Sequence, residues 1–382
     1  MLVSFSVSNF RSFREEQTFS LVASKRFAED HPEHTVAIPG TDERVLRFGV
    51  LYGANGAGKS NLLKALQFLR QLVVGQEVPV RDPFRFGEVV SEPTVFDLRF
   101  IAGGKLYDFG LAIGDSGIVE EWLFEGEGES ETALYERSND EVSVSAGQDV
   151  SLHHLAKVGV RPDRTFLGTV SQTSGSRILA AASRWLAELG FVLPSQTLSS
   201  VQVIDLKFLK SAGADIDGVR VVHKDSSACP NGDAGSFAVE TLQHETSLPL
   251  DEESDGTRRL FNLASIICRL EDEHATYLID EIERSLHPLL VRKVLAEFLR
   301  SPGHSQLIVT THDSNLLDLE LLRRDEVWFA EKDAQGATHL YSLSDFKPRE
   351  GSVQKHYLQG RFGAIPFLGG TERLFEQEPS AQ

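Results

Sequence analysis

The sequence predicts an α/β fold: a mixed, largely parallel sheet carrying helices, with an antiparallel β subdomain and a short helical insertion beside it. Three observations predict it. First, VLRFGVLY at residues 45–52 is a compact apolar run suited to a buried strand. It leads through a glycine-rich turn into Asn61 to Val74, where Leu62, Leu63, Leu66 and Leu69 recur at helical spacing. Second, between Thr94 and about Ser145 short alternating runs (VFDLRFI, LYDFGLAI, IVEEWLF, TALYER, VSVSA) are separated by turn residues, which reads as about five antiparallel strands. Third, strand and helix patterns alternate from Phe237 to Val309, as in a parallel α/β sheet.

The remaining elements follow in order. Residues 1–22 alternate as a half-buried strand pair (Leu2, Phe5, Val7, then Phe19, Leu21) interrupted by Asn9-Phe10-Arg11-Ser12-Phe13. Residues 150–212 turn helical in composition, with short segments at Ser176–Leu189 and Ser200–Ala212 and no sustained heptad. Ile216–His223 reads as a strand before the polar loop 224–236, and two strands (VWFA, THLYSL) follow Glu326. This divides the chain into a first lobe (1–93), the antiparallel subdomain (94–146), the helical insertion (147–235), a second lobe (236–370) and a disordered tail (371–382).

Composition narrows the class of function. The 382 residues hold 38 basic and 56 acidic side chains, a formal charge of −18, which excludes a generally basic surface that coats nucleic acid. Cys229 and Cys268 cannot build a disulfide framework and fit a reducing cytoplasm. No stretch approaches the ~20 consecutive apolar residues of a membrane span, and the start, MLVSFSVSNF, has no basic n-region. A soluble cytoplasmic protein without a membrane partner is expected.

Four motifs carry chemistry. Gly53-Ala54-Asn55-Gly56-Ala57-Gly58-Lys59-Ser60 matches the phosphate-binding loop in full and sits between a buried strand and a helix, where its mechanism requires. Backbone N–H groups of such a loop curl around phosphates, Lys59 reaches the β- and γ-phosphates, and the Ser60 hydroxyl ligates Mg²⁺. In Thr276-Tyr277-Leu278-Ile279-Asp280-Glu281 an apolar strand ends in two carboxylates, Asp280 placed to hold Mg²⁺ through water and Glu281 to polarise the attacking water. Leu307 to Thr311 is a third buried strand, ending in His312, which can contact the γ-phosphate and that water. In Glu253-Ser254-Asp255-Gly256-Thr257-Arg258-Arg259-Leu260, Ser254 is a good N-cap; with the Gly256 amide it also offers a second anion-binding helix start, for a nucleotide held by another subunit. His31, His34, His153, His154 and His223 lack ligand spacing, so no metal beyond Mg²⁺ is expected.

The order of these motifs resembles the ABC-type ATPase head, in its SMC-like and OLD-like branch. Asn9-Phe10-Arg11-Ser12-Phe13 is similar to the opening motif of those heads. The stretch Glu252–Leu260 and the terminal Tyr357–Phe367 resemble stand-alone bacterial ATPases of two-gene anti-phage and abortive-infection systems, the PARIS type among them. The resemblance implies ATP and Mg²⁺ as cofactors and a nucleotide site built from Gly53, Asn55, Gly56, Gly58, Lys59, Ser60, Asn61 and Arg11, with Ser254 and Gly256 facing a nucleotide. It implies catalysis by Lys59, Glu281 and His312, and metal binding by Ser60 and Asp280. The implied partners are a second copy of the chain in an ATP-sandwiched dimer or an assembly of dimers, a separately encoded nuclease or toxin effector, and nucleic acid or a phage protein as trigger. The chain departs from transporter heads in keeping only the serine and one glycine of Leu-Ser-Gly-Gly-Gln, and in carrying His287 where an aspartate stands. Gln67, Gln71 and Gln76 are candidates for the glutamine that links nucleotide to the accessory domain.

Three functions compete on these grounds. One is an ATP-gated sensor or scaffold that stores an effector, consistent with the missing coiled coil. Only 70 residues follow His312, and they hold no Asp-x-Asp metal pair; the pair Asp215/Asp217 reads as solvated surface. The second is a DNA-repair head that clamps a duplex along Lys157, Arg161, Arg164, Arg177, Arg184, Lys207, Lys210, Arg220 and Lys224, against which the net charge weighs. The third is a transporter motor, disfavoured by the degenerate Ser254 region.

Overall fold

The computed structural model describes residues 1–75, 81–86, 91–128, 131–145, 150–172, 177–193, 206–213, 215–223, 237–244, 246–272, 274–347 and 351–365. Its centre is a six-stranded sheet in the order Gly190–Val192, Thr276–Ile279, Gln306–Thr311, Phe48–Tyr52, Val327–Lys332 and Thr338–Ser342. All neighbours pair in parallel except the last two. Every residue of Phe48–Tyr52 and Gln306–Thr311 is buried, as the unbroken apolar runs require for strands covered on both faces.

The period of two in these strands sorts their side chains into two cores. Val50, Tyr52, Ile279 and Val309 pack with Leu263, Ile266 and Leu295 from the helices Asp255–Asp272 and Pro288–Arg300. Leu51, Leu278 and Ile308 face the other way, onto Leu62, Leu66 and Leu69 of the helix Lys59–Val73 and onto a second sheet. That second sheet is antiparallel and seven-stranded, in the order Glu141–Val144, Thr132–Ser138, Gly117–Glu125, Lys105–Gly114, Thr94–Ala102, Leu2–Ser8 and Gln17–Ser20. It contains the five antiparallel strands expected from alternation. Thr94–Ala102 also pairs with Leu2–Ser8, so one sheet joins residues from both sides of position 93. Buried Gln306 stitches the sheets together: its Oε1 accepts from Leu2 N–H (2.6 Å) and its Nε2 donates to the Leu2 and Leu46 carbonyls (2.8 Å each).

Two elements differ from the sequence reading. Phe237–Gln243, expected to open the parallel alternation, instead lies in a three-stranded antiparallel sheet with Gly218–His223 and Thr246–Pro249. Only two residues join it to Thr246, enough for a hairpin and far too few for a parallel crossover. Gly190–Val192, in a stretch read as helical, is the edge strand of the central sheet. Three residues are too short to show a period, and pairing with Thr276–Ile279 decides their state.

The longest helix among the described residues is Asp255–Asp272, at 18 residues, and none of them is long and apolar enough to cross a membrane. Of the terminal segment, Phe362 stacks on Phe329 of the central sheet, with ring centroids 5.7 Å apart. The expected loop 224–236, the tail 371–382, residues 200–205, Cys229, Lys224 and Gln76 lie outside the described residues.

Candidate nucleotide site

The site forms at the carboxyl ends of three adjacent parallel strands, Thr276–Ile279, Gln306–Thr311 and Phe48–Tyr52. Phe48–Tyr52, next to the histidine strand Gln306–Thr311, delivers the glycine loop. Gly53 must pass so close to Val327–Lys332 that a Cβ there would stand 2.4 Å from the Ala330 carbonyl oxygen. Gly58 caps the helix with φ +108°, and a Cβ on it would lie 2.1 Å from Thr338 Oγ1. Thr338 Oγ1 is 2.8 Å from both Ser12 Oγ and the Ala57 carbonyl, and Asn61 Nδ2 donates to the same Ser12 hydroxyl (2.8 Å). Two residues 326 positions apart thus brace the loop from behind. Asn55 and Gly56 remain exposed at its tip, and Ser60 is half-buried.

Lys59 folds back over this loop. Its side chain is buried, and Nζ donates to the Gly53 (2.7 Å) and Ala54 (3.1 Å) carbonyls. Burial lowers the ammonium to about 8, opposed by the more distant charges of Asp280, Glu283 and Glu281. Among the described residues no carboxylate lies within ion-pair distance of it. A buried cation at a helix start with no carboxylate partner among the described residues fits a polyanionic ligand.

The Asp-Glu pair follows Thr276–Ile279 on the far side of the histidine strand. Buried Thr310 binds both carboxylate residues: its hydroxyl donates to Asp280 Oδ1 and accepts from the Glu281 N–H (2.9 Å). Glu281 has φ +49°, a strained conformation for a side chain with a Cβ. Arg259 Nη2 holds this turn from below, donating to the Asp280 (2.8 Å) and Glu281 (2.9 Å) carbonyls. Glu281 itself is half-exposed, with Oε2 3.5 Å from Arg284 Nη1. His312 closes the group. Its Nδ1 lies 3.1 Å from the Gly53 carbonyl oxygen and 3.3 Å from Lys59 Nζ, while its backbone N–H donates to Glu283 Oε1 (2.6 Å).

The fold therefore brings Gly53, Lys59, His312, Asp280 and Glu281 into one connected cluster. It does not bring Arg11 or Asn61 to its face. Arg11 is pinned to Asp82 through Nε (3.1 Å) and its own N–H, and Asn61 is committed to Ser12. Ser254 caps Asp255–Asp272, accepting from Thr257 N–H (3.1 Å), and stays exposed; a Cβ on Gly256 would lie 3.2 Å from the Ser285 carbonyl, just beyond the Glu281 turn. His287 serves as the N-cap of Pro288–Arg300, its Nδ1 accepting from Leu289 N–H. Sequence reasoning gave no role to Ser12, Thr338, Thr310, Arg259 or Glu283. Thr310 and Arg259 lay inside motifs already picked out, so their adjacency to His312 and Ser254 was the available signal. A phosphate loop on a central parallel strand, with a strand ending in His beside it and one ending in Asp-Glu beyond, backed by an antiparallel sheet, is the ABC-type P-loop ATPase head expected from the motif order.

Solved structures similar to this chain include the SMC head domain from Thermotoga maritima (14% identity, 89% of this chain and 98% of that one, TM-score 0.45). Another is an Smc head bound to the C-winged helix domain of ScpA (15%, 94% and 99%, 0.46). A third is an Smc head with an extended coiled coil bound to the C-terminal domain of ScpA derived from Pyrococcus furiosus (11%, 94% and 98%, 0.44). No curated protein matches the sequence. The model of one family, "AAA domain, putative AbiEii toxin, Type IV TA system", matches residues 48–149 and 197–318, more than half of the chain and both carboxylate and phosphate-loop motifs. The chain belongs to this family of AAA domains.

Proposed function

We propose that the protein binds and hydrolyses ATP with Mg²⁺, that nucleotide joins two copies into a dimer, and that this dimer is the sensor or scaffold subunit of a bacterial anti-phage system with a separately encoded toxin or nuclease. The observation that carries the ATPase reading is the cluster around Lys59: a buried ammonium held by two carbonyls and His312, with no carboxylate partner among the described residues, beside the Thr310-bound Asp280 and Glu281. The family's description, which names a toxin and a toxin–antitoxin system, supports the effector partnership. The exposed Ser254 helix start supports recognition of a nucleotide on a second copy.

In this reading the Lys59 ammonium exchanges the Gly53 and Ala54 carbonyls for β- and γ-phosphate oxygens, whose charge returns its pKa toward that of an ordinary lysine. Ser60 and, through water, Asp280 would hold Mg²⁺, which when bound would offset the charge developing on the phosphate oxygens. Thr310 keeps Asp280 in place and fixes the Glu281 backbone. Glu281, with its carboxylate half-exposed, orients and polarises the attacking water. His312, no longer sharing Gly53 with Lys59, donates toward the γ-phosphate. Ser254 and the Gly256 amide of the second copy complete the site, so cleavage of the γ-phosphate removes what joins the copies.

The test is Glu281→Gln. The variant is expected to bind ATP with Mg²⁺, hydrolyse it at least ~100-fold more slowly, and accumulate as an ATP-dependent dimer by light scattering. A variant that binds ATP yet stays monomeric overturns the dimer reading, and one that hydrolyses ATP at the wild-type rate overturns the role of Glu281.

A further inference from the structure

A second site lies at the opposite end of the central sheet. His31-Pro32-Glu33-His34 forms a 3₁₀ turn leading into the strand Thr35–Ala37, and the His34 carbonyl accepts from Arg47 N–H (2.8 Å), immediately before Phe48–Tyr52 begins. The phosphate loop starts where that strand ends, roughly 20 Å away at ~3.3 Å per residue. The spacing of these histidines marked no ligand set in the sequence. The turn does, because His31 adopts the left-handed conformation (φ +46°) and swings its ring back over His34.

We propose that His31, Glu33 and His34 bind a zinc-class divalent cation, through His31 Nδ1, a Glu33 carboxylate oxygen and His34 Nε2. Glu33 Oε1 stands 3.4 Å from His31 Nδ1 and 3.8 Å from His34 Nε2, and the three ligand atoms all lie within 4.8 Å of one another. Donors around a tetrahedral ion at 2.0–2.1 Å are about 3.3 Å apart, so the Glu33 spacings need only small adjustments. The rings now lie near parallel, 10° apart, and sharing an ion requires each to tilt toward the other.

The outer shell is already built. A metal-bound imidazole characteristically gives its other nitrogen to a carboxylate or carbonyl, which fixes its tautomer and orientation. His34 is buried, and its Nδ1 is 3.0 Å from Oε1 of Glu326, which is itself completely buried. His31 Nε2 is 3.5 Å from the Leu319 carbonyl. Both imidazoles thus direct their remaining nitrogen toward Glu33, which is exposed enough to leave a fourth position for water. Two imidazoles and one carboxylate with an open position suit zinc-class ions; the all-oxygen shells of Ca²⁺ and Mg²⁺ do not use such a set. The bound ion would tie three separated pieces of chain together: the 31–34 turn, the segment after His312 that carries Leu319, and Glu326 at the entry to Val327–Lys332.

The test uses the full chain, stripped with EDTA, and Zn²⁺ alone without nucleotide. One equivalent of Zn²⁺ per chain is expected to survive dialysis and to raise the melting temperature, and Co²⁺ in its place gives the visible absorption of a four-coordinate N/O site. Glu33→Gln changes only an exposed side chain and is expected to weaken Zn²⁺ binding at least ~10-fold without lowering the metal-free melting temperature; His31→Ala, which also loses the stacking on His34 and the Leu319 contact, is expected to weaken binding at least as much. Glu326→Gln keeps size and one oxygen for the Arg323 N–H but takes the carboxylate away from His34, and is expected to weaken it ~10- to 100-fold. Wild-type protein that retains no stoichiometric Zn²⁺, or His31→Ala and Glu33→Gln variants that bind it as tightly as wild type, would overturn the site.

Discussion

Replacing Lys59 with methionine is expected to stabilise the nucleotide-free protein at neutral pH while abolishing ATP binding. Methionine keeps the length of the apolar stem and removes the buried charge. An ammonium whose pKa stands at about 8 in place of 10.5 carries a burial cost of about 3 kcal/mol in its protonated form. Losing the hydrogen bonds to the Gly53 and Ala54 carbonyls returns about 1 kcal/mol of that, leaving a net gain of about 2 kcal/mol for the variant. At ~2.1 cal/mol/K of unfolding entropy per residue, this is a rise of about 2–3 °C in melting temperature for a chain of this length. The sign follows from proton binding. Below pH 8 the lysine is protonated in both folded and unfolded chains, and the cost is felt in full. Between pH 8 and 10.5 the unfolded chain binds more protons, so wild-type stability rises with pH and the variant's advantage shrinks. By pH 9.5 the two are expected to melt together. Scanning calorimetry of both proteins at pH 7 and pH 9.5, without nucleotide, measures this. A methionine variant that melts below wild type at pH 7, or an advantage that does not change with pH, refutes the claim that Lys59 is held at the site under electrostatic strain.

Other expectations follow from the same contacts. Thr310→Val keeps the shape but leaves Asp280 without its donor and the Glu281 N–H unpaired; it is expected to cost roughly 2–3 kcal/mol in chemical denaturation and to slow hydrolysis about 100-fold at saturating ATP, while ATP affinity in a binding titration stays near wild type. Gly58→Ala must either leave φ +108° or displace Thr338, so a loss of at least about 2 kcal/mol in the same denaturation assay, together with loss of ATP binding, is expected.

The phosphate loop was legible because its chemistry is local: each residue of Gly53 to Ser60 acts through its own backbone or side chain, and flanking apolar residues locate the strand and helix. The Asp280–Glu281 and His312 strand ends were legible for the same reason, since burial on both faces writes an unbroken apolar run. The braces were not. Ser12 and Thr338 meet only because Leu2–Ser8 belongs to one sheet and Thr338–Ser342 to another, and no spacing in the chain encodes that meeting. Arg11 shows the same dependence on distant neighbours. Its motif points to the nucleotide site, but the guanidinium finds Asp82, while the neighbouring Ser12 makes the contact with Thr338 and Asn61. The hairpin at His244 and the edge strand Gly190–Val192 were missed because elements of three to seven residues take their pairing from neighbours and not from periodicity.

The claim on which the functional account rests is that each nucleotide is held by Lys59 of one copy and Ser254 of the other. Mixing two inactive variants measures this directly. Lys59→Ala and Ser254→Arg should each lack ATPase activity alone. In a 1:1 mixture half of the dimers are heterodimers, and each of those regains one intact site of two, so about a quarter of wild-type activity is expected for a symmetric dimer. A mixture no more active than its separate components would contradict the account.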